Sequence, residues 1–203
     1  MKVTAYCLAP ILLVGITAGL RAEETQSFDR HRRINDIVYA EVDGIKLMLD
    51  LYLPRNEKNP PLLMWVHGGA WRQGSKSDMP LMELVESGWA VASVDYRLSP
   101  IAKFPAQIHD CKAAIRFLRA SEKKYGINAT TIAIAGSSAG GHLAALIGVT
   151  NGHKELEGAV GEHLDQSSAV QAIVDYYGPT NFLTILKQST PHGLSVRVPA
   201  LGL

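Results

Sequence analysis

Apolar and polar positions alternate from Ile45 to Leu53, with Ile45, Leu47, Leu49, Leu51 and Leu53 on one face, the spacing of a half-buried strand. Ile37–Val42 precedes it across Asp43-Gly44, a strong turn signal, so the two runs predict a β-hairpin. Alternation then gives way to short unbroken apolar runs at Leu62–Val66, Ala90–Val94, Ile132–Ala135 and Ala172–Tyr177, the pattern of strands inside a sheet. Helical spacing lies between them. Met79–Ser87 predicts a short helix. After Pro105, a residue favoured at a helix start, Ile108, Cys111, Ile115 and Leu118 keep one face until Tyr125-Gly126. An Ala/Leu-rich helix former follows Gly140. Glu24–Arg33 reads as a polar lead-in, Pro54–Pro61 as a polar loop and Gly152–Ser168 as a charged loop. A hairpin followed by alternating strands and helices predicts an α/β fold with a mostly parallel sheet.

The first 22 residues stand apart from this pattern. Lys2 precedes an apolar run from Ala5 to Leu20 that Pro10, Gly15 and Gly19 interrupt, and Leu20-Arg21-Ala22 ends on a small residue. The run is short against the roughly 20 residues of a membrane span, so residues 1–22 are read as a signal peptide and the protein as exported, periplasmic or extracellular. An uncleaved anchor is the other reading of the same run. Residues 23–34 then form a flexible lead-in and residues 35–203 one domain with a sizeable core. The formal net charge is +1 with acids and bases interspersed, which gives no basic surface for nucleic acid or anionic membrane. With the leader removed, Cys111 is the single cysteine, so no internal disulfide is available, and its place on the apolar helix face fits a buried thiol.

The chemistry concentrates at Thr131–Leu146, TIAIAGSSAGGHLAAL. A short strand, then Gly136-Ser137-Ser138-Ala139-Gly140, then a helix places G-x-S-x-G on a sharp strand-to-helix turn. The flanking glycines permit the tight bend, and Ser138 is held strained with its hydroxyl exposed above the sheet. Ala139 opens the helix, and its N–H faces any negative charge that forms at Ser138. Ser138 is therefore the candidate nucleophile. His67-Gly68-Gly69-Ala70-Trp71 follows another predicted strand and ends on the same sheet edge. Its consecutive glycines let backbone N–H groups face a ligand, the second part of an oxyanion hole.

These motifs, with DYRLSP at Asp95–Pro100, FPAQIHDCKAAIRFLR at Phe104–Arg119 and YGPTNF at Tyr177–Phe182, resemble the α/β-hydrolase fold. Within it they are similar to the esterase/lipase group related to hormone-sensitive lipase and to bacterial feruloyl-esterase-like (BD-FAE) proteins. The resemblance covers about Asn35 to Phe182 and implies a three-layer sandwich with an N-terminal β-hairpin. It implies hydrolysis of carboxylic esters through an acyl-enzyme on Ser138. Ala139 with Gly69 and Ala70, and Gly68 as a neighbouring candidate, would form the oxyanion hole. It implies no metal and no organic cofactor. The substrate would be a small-molecule or polysaccharide ester, reached through an open, shallow site that prefers short acyl chains. His67 would prop the oxyanion loop through its ring, Arg97 and Asp110 would form a structural ion pair, and His142 would be a packed side chain. Trp71 would either line the acyl side of the site or pack at its rim.

The chain departs from the group in one respect. In this fold an acid and then a histidine follow the serine, after later strands. His192 is the one histidine beyond Phe182, no acid follows Phe182, and Asp165 and Asp175 fall before or inside the Ala172–Tyr177 strand. The triad acid and base are thus unknown, and the expectation is a chain whose last strands are missing and whose activity is weak or absent. A non-catalytic remnant and a prolyl-oligopeptidase-type peptidase remain the alternatives.

Overall fold

A computed structural model describes residues 31–185. The signal-peptide reading, the lead-in up to residue 30 and His192 lie outside the described residues. The elements run β1 (His31–Val42), β2 (Ile45–Pro54), β3 (Pro61–Val66), α1 (Met82–Glu86), β4 (Ala90–Val94), α2 (Ala106–Ala120), α3 (Glu122–Tyr125), β5 (Asn128–Ser137), α4 (Ala139–Val149), α5 (Lys154–Glu157) and β6 (Ala172–Tyr176). The six strands lie in the order β1-β2-β4-β3-β5-β6. β1 and β2 form the expected antiparallel hairpin and join β4 antiparallel, whereas β4, β3, β5 and β6 run parallel.

Side chains alternate across this sheet into two layers. Leu62, Met64, Val66, Ile132 and Ile134 meet α2 and α4 on one face, where Ile108, Cys111, Ile115, Leu118, Leu143 and Ile147 are buried. Leu63, Trp65, Val91, Ala133 and Ala135 meet Val85 of α1 on the other. This is the α/β fold that the apolar pattern predicts, in the three-layer form that the resemblance implied.

Some boundaries differ from expectation, each for a local reason. Strand begins at His31 rather than after Ile34, because Arg32 to Ile34 pair with Leu51 to Leu53 and the Arg33 guanidinium lies on the Asp50 carboxylate and over the Tyr52 ring. A register shift between Ile34 and Ile37 interrupts that pairing and turns the Asp36 N–H onto Asp50 Oδ1 at 2.8 Å. The helix expected over Met79–Ser87 forms only at Met82–Glu86, just past Pro80. The charged stretch Gly152–Ser168 contains α5 and is tied down by one carboxylate. Glu157 accepts hydrogen bonds from the Lys112 ammonium (2.6 Å), the Ser168 hydroxyl (2.6 Å) and the Gly152 N–H (2.9 Å), with Arg116 at 3.6 Å. Lys112 itself is fully buried on α2.

The carboxyl ends of the strands carry the loops of interest, and α2 anchors them. Arg97 grips Asp110 through Nε and Nη2 at 2.8 and 2.6 Å and donates its backbone N–H to the same carboxylate at 2.9 Å. Gln107 adds bonds to the carbonyls of Arg97 and Ala102. Every residue of β6 is exposed, Ile173, Val174 and Tyr176 by about two-fifths. An open apolar cavity of about 470 Å³ lies between this strand and α1, lined by Leu63, Leu84, Ala135, Val174 and Tyr176 among others. Among the described residues, no helix is long and apolar enough to cross a membrane.

Because Asp110 has no exposed surface, losing it leaves the Arg97 guanidinium facing the interior without its partner. Asp110→Ala is expected to cost about 3–5 kcal/mol of stability in urea denaturation, the cost of breaking a buried pair. A loss below about 1 kcal/mol, the value of an exposed pair, would show that the ion pair does not anchor the loop.

Candidate active site

β3 and β5 are parallel neighbours, with Val66 opposite Gly136. Both chains leave the sheet at the same edge, so the loop after β3 and the turn after β5 meet there. A Cβ on Gly68 would sit 2.8 Å from the Ser137 carbonyl oxygen and 3.4 Å from Ser138 Cβ. The backbone of the glycine loop thus passes directly over the turn. A Cβ on Gly136 would collide with the Gly140 carbonyl, and one on Gly140 with the Val66 and His67 carbonyls. The two glycines of G-x-S-x-G are therefore required by contact as well as by bending.

Ser138 adopts φ +54°, ψ −119°, a conformation that costs a non-glycine residue about 1–3 kcal/mol and persists only where its surroundings enforce it. Two hydrogen bonds do so here. The Ser138 N–H donates to the Tyr176 carbonyl at 2.8 Å, and its carbonyl accepts the His142 N–H at 3.0 Å, starting α4. Ala139 is the first helical residue, so its N–H has no partner within the helix. Among the described residues, no backbone hydrogen bond takes the N–H of Gly68, Gly69 or Ala70. The loop and the helix start therefore supply free donors beside Ser138, an arrangement able to stabilise an oxyanion.

The loop is itself strained, with φ +106° at Gly69, +51° at Ala70 and +57° at Trp71 in succession. His67 is buried below it. Its Nδ1 lies 2.7 Å from the Gly68 carbonyl, which can only accept, so Nδ1 carries the proton. The ring stacks on Tyr96 at 4.4 Å, and the Tyr96 hydroxyl donates to the His67 carbonyl at 3.1 Å. Burial pushes the His67 pKa below the ordinary imidazole range, so the ring is neutral at pH 7. The Ser99 N–H fixes the Trp71 carbonyl at 2.7 Å. His67 therefore supports the loop and is turned to its carbonyl, as the resemblance implied.

Trp71, His142 and Phe182 meet edge to face, with centroids 5.3 Å apart for Trp71–His142, 4.9 Å for His142–Phe182 and 5.6 Å for Trp71–Phe182. His142 is thus packed, as expected, and its Nδ1 is buried without a partner among the described residues. Asp175 stays within β6 and accepts the Gly178 N–H at 2.8 Å, and Asp165 takes part in a loop hydrogen bond with Gln166. No side chain of the described residues hydrogen-bonds Ser138 Oγ, and no group of three or more His, Cys, Asp or Glu among them could hold a metal. The pattern reading missed the importance of Asp50 and Lys76. Asp50 falls at a polar position of the Ile45–Leu53 alternation, so the pattern does not mark it.

His142 offers a direct test of packing against proton transfer. Burial lowers its pKa, with a smaller opposing effect from Asp175. The unfolded chain then binds a proton below about pH 6.5 that the folded one resists, so stability is lost as pH falls through that range. His142→Phe removes an unpartnered nitrogen and is expected to raise stability at pH 7 by about 1 kcal/mol. It should also flatten the loss between about pH 6.5 and 5, read by urea denaturation at several pH values. A destabilised variant with an unchanged acid slope would contradict the packed, neutral ring.

The BD-FAE family model matches residues 49–200. Esterase LipC of Mycobacterium tuberculosis is 38% identical over 157 residues, covering 73% of this chain and 38% of its own length. Esterase LipQ of the same organism is 40% identical over 158 residues, 73% of this chain and 37% of that protein. Among solved structures, a bifunctional GH43-CE protein of Bacteroides eggerthii superposes with a TM-score of 0.72 at 39% identity, over 83% of this chain and 24% of that one. A truncated form of a carbohydrate esterase from gut microbiota gives 0.70 at 34%, over 79% and 62%. The chain spans less than two-fifths of the length of these curated relatives. The family match, the superpositions and the elbow beside its glycine loop agree: the chain belongs to the BD-FAE family of α/β-hydrolases.

Proposed function

We propose that this domain carries the nucleophile and oxyanion hole of a serine carboxylic-ester hydrolase. The observation that carries the reading is the seat of a strained Ser138 between the Ala139 helix start and the unpaired N–H groups of Gly68, Gly69 and Ala70. Ser138 Oγ bonds to the ester carbonyl carbon and its proton passes to a base. The carbonyl oxygen becomes an oxyanion held by those N–H groups. Collapse expels the protonated alcohol and leaves an acyl-enzyme, which water hydrolyses to the acid. The esterase names of the relatives support this reaction over peptide cleavage. The carbohydrate esterase among the similar structures supports short-chain or carbohydrate-linked acyl esters as the substrates.

The test uses the full gene product with p-nitrophenyl acetate, butyrate and palmitate. Wild type is expected to favour the short esters, and Ser138→Ala to lose at least about 10³-fold in kcat. Equal rates for the two proteins would remove Ser138 from the mechanism, and faster palmitate cleavage would remove the short-chain preference. A fluorophosphonate probe separates this reading from a non-catalytic one, since it labels only a serine that a base activates. Failure to label the full gene product would favour the second.

The same reading has the protein exported, on the strength of Lys2 and the apolar run Ala5–Leu20. Mature protein from the exported fraction is expected to begin after Ala22. A chain that retains Lys2 there would overturn cleavage.

A further inference from the structure

The far end of the glycine loop is held by a lysine between a buried carboxylate, Asp50, and an exposed one, Asp36. Lys76 is 9% exposed. Its ammonium lies 2.9 Å from Asp50 Oδ1 and 2.8 Å from Asp36 Oδ1, and its backbone N–H donates to Asp95 Oδ1 at 2.6 Å. Asp50 has no exposed surface and sits mid-strand on β2, opposite Ser93 of β4. Its carboxylate also takes the Arg33 guanidinium at 2.7 Å and the Asp36 N–H at 2.8 Å. Asp95 follows β4 directly, and its carbonyl accepts the Tyr39 hydroxyl at 2.6 Å. Lys76 therefore joins the loop to β1, β2 and the end of β4 at once.

The near end, at His67, is held separately by Tyr96 and by the Gly68 carbonyl. Between the two anchors lie the three successive positive-φ residues, Gly69, Ala70 and Trp71. Two of these carry side chains, so releasing one end leaves their strain opposed only by the backbone bonds at the Gly69 and Trp71 carbonyls. An exposed lysine would hold nothing, since surface pairs contribute little. Here, however, a carboxylate without solvent access depends on the ammonium, and leaving the cluster would strand Asp50 with fewer donors.

We propose that Lys76 is a positioning residue for the oxyanion hole: its ammonium, bound between Asp50 and Asp36, holds the N–H groups of Gly68 to Ala70 in place beside Ser138. The kinetic consequence rests on the esterase reading; the conformational one does not. Lys76→Met keeps the backbone bond to Asp95 and removes only the ammonium.

Two readouts test this on the full gene product. Hydrogen–deuterium exchange of a peptide spanning residues 67–74, read at the Arg72 and Gln73 amides that donate to the Gly69 carbonyl, is expected to quicken about tenfold in Lys76→Met, while β5 peptides stay unchanged. With p-nitrophenyl acetate, kcat is expected to fall roughly tenfold with KM within about twofold, because the donors act on the transition state. Lys76→Arg should restore most of that loss. Arg116→Met, which removes a buried cation on the opposite side of the sheet, should leave the kcat-to-KM pattern unmoved. Exchange like wild type in Lys76→Met, or a kcat loss no larger than that of Arg116→Met, would overturn the proposal. If wild type and Ser138→Ala prove equally active, the esterase reading fails and exchange alone decides the positioning role. Should Lys76→Met not fold, Asp36→Asn removes one exposed partner of the ammonium. Faster exchange over residues 67–74 in that variant supports the proposal, and unchanged exchange overturns it.

Discussion

Gly140 lies so close to the carbonyls of Val66 and His67 that no Cβ fits between them, and this contact between the first turn of α4 and the end of β3 sets most of what surrounds it. It brings a helix N-terminus to the point where the glycine loop leaves the sheet. It also forces β5 to reverse direction within a few residues, through Gly136, which approaches Gly140 as closely. Ser138 has no ordinary conformation available in that reversal. On the far side the same helix meets β6 through Gly141 and Gly148, where a Cβ would collide with Asp175 and Ile173. A helix clasped on two sides by backbone has little use for large residues, which is why α4 is written AGGHLAALIGV.

The strained residues of the site fall into two groups restrained by different chemistry. The elbow is held by backbone bonds to Tyr176 and within α4, and these depend on the sheet alone. The glycine loop is held by backbone bonds at the Gly69 and Trp71 carbonyls and, at its two ends, by side chains: an imidazole, a phenol and an ammonium drawn from three segments. Backbone donors free for a ligand cannot also stabilise the loop that carries them. Further restraint comes from beneath, and the buried charge at Asp50 supplies it on the face of β2 opposite its leucines.

Much of this was legible in the residues. Alternation located the hairpin, unbroken apolar runs located β3 to β6, and the ordered pair HGGAW and GSSAGG located the meeting point at the sheet edge, because glycine requirements leave a local signature. The Arg97–Asp110 pair followed from the motifs that hold it. The early start of β1 was not legible, since Arg32 and Arg33 pair as an edge strand only because Asp50 and Tyr52 lie opposite. Nor was the role of Lys76, which belongs to no periodic pattern and whose ammonium finds Asp50 26 residues upstream and Asp36 further still. The shortened α1 reflects Pro80, which local rules could have flagged.

Glu157 makes the stretch from Gly152 to Ser168 different from the surface loop its composition suggests. One carboxylate there satisfies an ammonium, a hydroxyl and a backbone N–H, and stands beside a guanidinium, with the ammonium rooted in the middle of α2. Loops of this length are where engineers insert affinity tags and where related genes differ most in length. In this chain, lengthening or shortening on either side of Glu157 would move the counter-ion of a side chain that cannot reach water. Variation in the segment is therefore confined to residues that leave the Glu157 carboxylate where it stands, and a graft there would be felt first in the packing of α2.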